Sequence, residues 1–175
     1  MNSPVVFFDK DGTLVENIPY NVDPALIRLA PGVTEALLML HNAGFRIAIV
    51  TNQSGVARGL YPEMALKDVE LRIRELLGEH GVPLAGFFYC PHHPDGVIPE
   101  YSVQCVCRKP EPGLIIAAAE SLAAELTNCW VVGDSLTDEE AGRRAGCKTA
   151  LLLTNSHPGV LDAARRILMD AQVSK

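Results

Sequence analysis

Residues 5–13 read VVFFDKDGT, in which four apolar residues are followed at once by two carboxylates. The apolar run is short and rich in β-branched and aromatic residues, which is typical of a strand buried on both faces. Asp9 and Asp11 stand two residues apart, so an extended backbone would point both side chains to the same side. Two like charges that meet are costly unless a cation compensates them, and Mg²⁺ prefers such oxygen ligands. A simple turn is the alternative, because Asp and Gly also favour turns.

Outward from this stretch, short apolar runs alternate with longer segments of helical spacing. Further strands are predicted at residues 45–50, 87–89, 130–132 and 149–153, and helices at 31–43, 62–80, 112–126, 137–145 and 158–173. This alternation predicts an α/β fold, a three-layer, Rossmann-like parallel sheet with helices on both faces. Ligands of such sheets bind beyond the carboxyl ends of the strands, where the polar motifs of this chain stand.

Size and composition narrow the possible functions. A chain of 175 residues suits one domain over 1–175, and a net charge of −6 argues against a nucleic-acid partner. No apolar run reaches the roughly 18 residues of a membrane span, and the first residues do not read as a signal peptide. We therefore expect a cytoplasmic protein without a membrane partner.

Three more polar groups follow later strands or stand in loops. Thr51, Asn52, Gln53 and Ser54 offer neutral donors after the second strand, Arg108 and Lys109 are adjacent cations, and Asp134 follows the fourth strand. Each has a plain structural alternative: a helix cap and loop, a solvated surface pair, and an N-cap aspartate. Their conjunction is more specific, because a carboxylate attacking a phosphate ester needs a metal, fixed donors and a cation.

These motifs together resemble the haloacid dehalogenase superfamily of phosphohydrolases over nearly the whole chain. Residues 8–13 look like its first motif, and Thr51, Lys109 and Asp134 like its second, third and fourth. The resemblance implies that Asp9 is a nucleophile that becomes phosphorylated and that Asp11 protonates the leaving oxygen and then activates water. It also implies that Asp9, Asp134 and the backbone carbonyl of Asp11 hold Mg²⁺, while Thr51 and Lys109 bind the phosphate.

A proline-rich loop over residues 90–110 carries a second cluster. Cys90, His92, Cys105 and Cys107 offer three thiolates and one imidazole, the ligand set of a closed structural zinc site. His93 is an alternative ligand by sequence alone, and a redox pair is a competing interpretation, although Cys-x-Cys is not the usual redox spacing. Zn²⁺ would supply folding free energy that the loop lacks.

Motifs in this loop and after the second predicted strand make the resemblance more specific. TNQSGVARG at residues 51–59, CPHHP at 90–94 and CVCRKP at 105–110 look like the D-glycero-D-manno-heptose 1,7-bisphosphate 7-phosphatase family. That family implies zinc ligands at Cys90, His92, Cys105 and Cys107, and substrate contacts from Asn52, Gln53, Ser54 and Arg108. It further implies a small phosphorylated sugar as substrate, a role in lipopolysaccharide biosynthesis, and a monomer without a large cap domain.

Other functions fit parts of the same pattern. Histidinol-phosphate phosphatases share the four motifs and a similar zinc loop, and Ser135 stands where a lysine often follows the fourth-motif aspartate. A zinc-stabilised, non-catalytic phosphate-binding module is the candidate from another class, but both motif-one carboxylates are present. A polynucleotide end-phosphatase is disfavoured, because the chain is acidic and lacks an aromatic and basic groove.

Overall fold

The computed structural model describes residues 3–152 and 159–173. One sheet contains five parallel strands in the order β3-β2-β1-β4-β5. The strands are β1 (Val5–Phe8), β2 (Arg46–Asn52), β3 (Leu84–Cys90), β4 (Trp130–Gly133) and β5 (Lys148–Leu151). The predicted α/β fold with a parallel sheet is confirmed. Residue 153, with which the predicted last strand ends, lies outside the described residues.

Helices cover both faces of the sheet, so the three-layer prediction is also confirmed. They are α1 (Val33–Asn42), α2 (Ala65–Gly78), α3 (Gly113–Ser121), α4 (Leu136–Ala145) and α5 (Gly159–Val173). The first, second and fifth helices pack on one face, and the third and fourth on the other. Residue 158, where the last helix is predicted to begin, is not described. Within the described part of the chain, no helix is long and apolar enough to span a bilayer.

The central strand β1 explains the continuous apolar run at the start of the chain. Val6 and Phe8 belong to the core beneath α1, α2 and α5, whereas Val5 and Phe7 belong to the core beneath α3 and α4. All four side chains are fully buried, because successive residues of a strand point to opposite faces and both faces are covered here.

Helix α3 ends earlier than its apolar pattern predicts. The sequence pattern extends to residue 126, but α3 ends at Ser121. Ala123 adopts a left-handed conformation with φ 48°, and the N–H of Ala124 bonds to the carbonyl of Ala119 at 2.8 Å. This is the geometry of a helix C-terminus that glycine usually marks. Because alanine takes that place, the sequence gives no stop signal.

The strand order places a crevice beside β1. The chain passes outward from β1 to β2 and β3, and then returns to form β4 on the other side of β1. The connections that leave β1 and β4 therefore diverge at their carboxyl ends. In open parallel sheets this switch point is where ligands bind. Residues 9–13 and 134–138 both begin here, so the fold brings the first and fourth motifs together.

The loop between β3 and α3 lies against the segment that follows β2. The carbonyl of Ala57 accepts hydrogen bonds from the N–H groups of Val97 at 2.7 Å and Ile98 at 3.0 Å. A Cβ on Gly96 would lie 2.7 Å from the same carbonyl, so glycine permits this close approach. The loop is thus tied to the residues that border the crevice.

Candidate active site

A pocket of about 150 Å³ opens at the carboxyl edge of the sheet, at the switch point. It collects residues from four separate parts of the chain, as the spacing of the motifs predicts. Its lining side chains are Asp9, Asp11, Thr51, Asn52, Lys109, Ser135, Thr137 and Asp138. Asp9 follows β1 directly and Thr51 lies near the end of β2, so strand geometry fixes both.

Lys109 is a buried cation shared by two carboxylates. Its Nζ lies 2.7 Å from Oδ1 of Asp9 and 2.5 Å from Oδ1 of Asp138, and it donates to the carbonyl of Val50 at 2.8 Å. Burial lowers the pKa of this ammonium, but the two carboxylates more than offset that effect and the pKa lies above its usual value. Lys109 therefore carries a positive charge to the floor of the pocket.

Burial is also the main influence on the pKa of Asp9, the candidate nucleophile. It raises the pKa of Asp9 to about 6; the charge of Lys109 acts against this rise and the charge of Asp138 adds to it. Burial, followed by the charge of Asp138, likewise raises the pKa of Asp134. Both carboxylates are thus destabilised as anions, which a bound cation would reverse.

Three carboxylates form a group that could hold a metal ion. One oxygen each from Asp9, Asp134 and Asp138 lies within 4.8 Å of the others. Gly12, with φ +77°, lets the chain pass close by, because a Cβ there would lie 2.4 Å from Oδ2 of Asp134. Converging carboxylate oxygens with one lysine against three acids fit Mg²⁺. The carboxylate of Asp11 lies outside this group, which leaves it available for other chemistry.

Asp11 has its own two partners. Its Oδ1 accepts from Nζ of the buried Lys10 at 2.6 Å, and its Oδ2 accepts from Nε2 of Gln53 at 3.1 Å. The same Nε2 donates to Oγ1 of Thr51 at 3.0 Å. The carboxylate is therefore held in place on both sides, at the mouth of the pocket.

The predicted substrate-binding residues occupy different environments. Asn52 pairs with the backbone of Lys109, donating to its carbonyl at 3.0 Å and accepting from its N–H at 3.1 Å. Gln53 is buried, whereas Ser54 and Arg108 are half-buried. The guanidinium of Arg108 donates to the carbonyl of His92 at 3.3 Å. Asn52 thus anchors the third-motif lysine and also lines the pocket.

Sequence reasoning gave no role to Asp138 and Ser135. Ser135, not Asp134, caps α4: its backbone N–H donates to Oδ2 of Asp138 at 3.1 Å, and its hydroxyl accepts from the N–H of Asp138. This rules out the alternative that Asp134 is an N-cap. The sequence does contain a signal for this cap, a serine followed three residues later by an acid. The contact of Asp138 with Lys109 could not be predicted in the same way, because it depends on the fold.

Cys90, His92, Cys105 and Cys107 come together as a second group that could hold a metal ion. The Sγ atoms are 3.2–3.6 Å apart, and Nδ1 of His92 lies 3.4 Å from the Sγ of Cys107. A zinc tetrahedron with Zn–S bonds of about 2.3 Å has S–S edges of about 3.8 Å, so the set fits with small adjustments. Burial raises the pKa of the Cys90 thiol, which a metal would counteract.

His93 is directed elsewhere. Its Nε2 lies 3.1 Å from a guanidinium nitrogen of Arg58, and its Nδ1 accepts from the N–H of Asp95 at 3.1 Å. Burial, then the charges of Arg108 and Arg58, lowers the pKa of His93. His92 is therefore the imidazole of the cysteine group, and His93 belongs to a cationic region beside it.

A larger cavity of about 720 Å³ adjoins the small pocket, and the two share Lys109. Its lining includes Arg108 and His93 together with residues 103–106 of the cysteine loop. The full lining is His93, Pro94, Asp95, Val103, Gln104, Cys105, Val106, Arg108, Lys109, Pro110 and Glu111. The site can therefore receive a phosphate in the small pocket with an attached polar group in the larger one.

Known proteins resemble this chain in sequence. The HAD-hydrolase-like family model matches residues 106–168. D-glycero-beta-D-manno-heptose-1,7-bisphosphate 7-phosphatase from Photorhabdus laumondii is 36% identical over 155 residues, which are 89% of this chain and 82% of that protein. The corresponding alpha-heptose enzyme of the same organism is also 36% identical, over 88% of this chain and 84% of its own.

The fold is also similar to that of a solved structure. The D,D-heptose 1,7-bisphosphate phosphatase of B. bronchiseptica, complexed with magnesium and phosphate, superposes with a TM-score of 0.80 at 28% identity, covering 95% of this chain and 99% of that one. Identity above one third over most of both chains, with the same fold, shows a common family. The chain belongs to the D-glycero-D-manno-heptose-1,7-bisphosphate 7-phosphatases, a family of HAD-like phosphatases.

Proposed function

We propose that this chain is a Mg²⁺-dependent phosphatase that removes the 7-phosphate of D-glycero-D-manno-heptose 1,7-bisphosphate through an aspartyl-phosphate on Asp9. The observation that carries the proposal is that Asp9, Asp134 and Asp138 converge at the carboxyl edge of the sheet, with Lys109 between Asp9 and Asp138 and Thr51 lining the same pocket. A carboxylate nucleophile, a fixed cation and a site for a divalent ion are the parts that phosphoryl transfer requires.

Asp9 and Asp11 divide the chemistry between them. An oxygen of Asp9 forms a bond to phosphorus while the bond from phosphorus to the sugar oxygen breaks, and Asp11 gives its proton to that leaving oxygen. In the second half, a water molecule attacks the phosphorus of the aspartyl-phosphate. Asp11 takes the proton of this water, and Asp9 leaves as a carboxylate, so phosphate is released and both acids are restored.

The remaining side chains offset the negative charge of the phosphate. Mg²⁺, when held by Asp9, Asp134 and the carbonyl of Asp11, supplies positive charge that lowers the repulsion between nucleophile and phosphate. Lys109 lies 2.7 Å from Asp9 and keeps its ammonium charged, so it can bind an oxygen of the transferring group. The hydroxyl of Thr51 lines the same pocket as a donor.

Two anionic ends of the substrate match two regions of the cleft. The small pocket suits the 7-phosphate, and the adjoining cavity with Arg108 suits the rest of the bisphosphate. Besides burial, the guanidinium groups of Arg108 and Arg58 both lie close enough to His93 to lower its pKa, so the positive charge of two arginines is concentrated there. Substrate contacts by Asn52, Ser54 and Arg108 belong to this proposal.

The cysteine group is proposed to bind Zn²⁺ through Cys90, His92, Cys105 and Cys107. The donor set and its spacing favour a closed structural ion rather than a catalytic one, since all four positions are protein ligands. We also propose that the enzyme acts as a single-domain monomer in the cytoplasm, in lipopolysaccharide biosynthesis. Thiolate ligands are maintained in such a reducing compartment.

The test measures phosphate release from both heptose bisphosphate anomers and from histidinol phosphate. It compares the wild type with Asp9→Asn and with a control, Asp68→Asn, on the exposed face of α2. The wild type should give the higher kcat/KM on a heptose bisphosphate, Asp9→Asn should lose about 10⁴-fold or more, and Asp68→Asn should match the wild type. A preference for histidinol phosphate would overturn the substrate, and an active Asp9→Asn would overturn the nucleophile.

A further inference from the structure

The side-chain amide of Gln53 is used entirely within the protein. Its Nε2 donates to Oδ2 of Asp11 at 3.1 Å and to Oγ1 of Thr51 at 3.0 Å, while its Oε1 accepts from the hydroxyl of Tyr61 at 2.8 Å. The residue is only 4% exposed. Two amide hydrogens and the amide oxygen are thus engaged, which argues against the direct substrate contact predicted for Gln53 from the sequence.

Tyr61 fixes the direction of this amide. Its ring packs on Gly55, where a Cβ would lie 2.2 Å from the ring, so the ring can approach only because residue 55 is glycine. Burial, then the charge of Asp11, raises the pKa of Tyr61, so its hydroxyl keeps its proton and remains a donor. A flipped amide would place Oε1 against the carboxylate of Asp11, which is unfavourable.

The fixed amide orients two groups at the pocket. Asp11 is held between Nε2 of Gln53 on one oxygen and the ammonium of Lys10 on the other. Thr51 accepts from Gln53, so the proton of its hydroxyl is left to be donated into the pocket that Thr51 lines. A disturbance of one amide would therefore misplace a proton donor and a phosphate ligand together.

We propose that Gln53 and Tyr61 are positioning residues, which orient the Asp11 carboxylate and the Thr51 hydroxyl for phosphoryl transfer. The inference rests on the proposed function, in which Asp11 gives its proton to the leaving sugar oxygen as the phosphorus–oxygen bond breaks. Neither residue touches the substrate. Their removal should therefore reduce kcat and leave KM nearly unchanged.

The nature of the leaving group separates this role from a purely structural one. A sugar alkoxide is a poor leaving group and needs the proton of Asp11, whereas the nitrophenolate of p-nitrophenyl phosphate leaves without one. A misplaced Asp11 should therefore slow formation of the aspartyl-phosphate far more from the sugar phosphate than from the aryl phosphate, whereas hydrolysis of that intermediate is the same step for both substrates. General loss of folded protein would slow both substrates equally.

The experiment measures kcat and KM of the wild type and Tyr61→Phe on heptose bisphosphate and p-nitrophenyl phosphate. The control is Tyr89→Phe, which removes a hydroxyl that bonds to Glu63 away from the pocket. Tyr61→Phe should lose at least about tenfold more kcat/KM on the sugar phosphate than on the aryl phosphate, because kcat/KM reports formation of the aspartyl-phosphate, and its KM for the sugar phosphate should stay within about twofold of wild type. Tyr89→Phe should show no such selectivity.

Gln53→Met, which keeps the shape but removes the donors, is measured in the same way and decides the matter if Tyr61→Phe does not fold. A selectivity below about tenfold, a raised KM at unchanged kcat, or equal selectivity in Tyr89→Phe would overturn the inference. A wild type inactive on both substrates would instead overturn the proposed function.

Discussion

At the floor of the pocket, one lysine faces three buried or half-buried acids. Lys109 pairs with Asp9 and Asp138, and Asp134 lies within reach of both carboxylates. An excess of negative charge at low exposure is unfavourable, as the raised pKa values of Asp9 and Asp134 indicate. A divalent cation removes the excess, so the same residues that prepare the nucleophile also make the metal site.

Gly12 gives a sharp test of that metal site. Gly12→Ala places a Cβ where Oδ2 of Asp134 now lies and also strains a left-handed backbone with φ +77°. Displacement of the carboxylate should weaken Mg²⁺ binding and lower kcat/KM about 100-fold, since small misplacements of catalytic groups are that costly. Calorimetric titration with Mg²⁺ and steady-state kinetics measure the two effects.

The matched control is Gly44→Ala, at a glycine with φ +91° where, among the described residues and apart from its chain neighbours, no atom lies within 4 Å of the added Cβ. Both variants should lose about 1–2 kcal/mol of stability from the left-handed backbone, which urea unfolding measures. Only Gly12→Ala should lose Mg²⁺ affinity. If Gly44→Ala weakens Mg²⁺ binding as much, backbone strain and not the contact with Asp134 is responsible.

At the scale of elements, the regular structure could be predicted because the strands largely coincide with short apolar runs, fully buried in β1 and β4, and the helices carry apolar residues at helical spacing. Because ligands of a parallel sheet bind beyond the carboxyl ends of its strands, residues 9, 51 and 134 could be predicted to lie together from their positions at strand ends. Lys109 stands in a loop, so only its motif pointed to the site. The positioning role proposed for Gln53 and Tyr61 could not be predicted, because the contact of Gln53 with Asp11 joins residues 42 apart and depends on how two loops pack.

The cysteine loop carries a prediction at the same scale. Cys107→Ser should remove the bound zinc, about one ion per chain in the wild type, and lower stability by about 3 kcal/mol or more, because metal binding supplies folding free energy. Elemental analysis and chemical unfolding measure these quantities. Turnover per folded molecule should change less, since the cluster holds the loop and not the phosphate.

Cys147→Ser is the control for that variant, because Cys147 is buried beside α4 and lies outside the cluster. It should keep its zinc, and a chelator should destabilise it as it destabilises the wild type. Purified wild-type protein without zinc would contradict the metal assignment. Equal loss of zinc in both variants would show that the effect comes from general unfolding.

For the molecule as a whole, the active site is a local exception to a well-packed fold. Most of the buried residues are apolar, and the buried charges among the described residues gather at the switch point between β1 and β4. This arrangement costs stability when no metal is bound. The sheet and its two helical layers stabilise the fold enough to hold the acids in place, so ligand binding should be visible in global stability.

The pH dependence of Mg²⁺ stabilisation follows from this coupling. Burial raises the pKa of Asp9 to about 6, so the metal-free folded protein holds a proton that the unfolded chain has already released. Stability without metal should therefore fall as pH rises from about 4 to about 6. Mg²⁺ needs the ionised carboxylate, so its stabilising effect should grow over the same interval.

Thermal unfolding at about pH 5 and about pH 7.5, with and without millimolar Mg²⁺ at constant ionic strength, measures this effect. The Mg²⁺-induced shift of the unfolding temperature should be larger at the higher pH. Asp9→Asn removes this proton and should reduce the difference between the two pH values. An equal or larger shift at about pH 5 in the wild type would mean that Mg²⁺ does not compete with a proton at the carboxylate group.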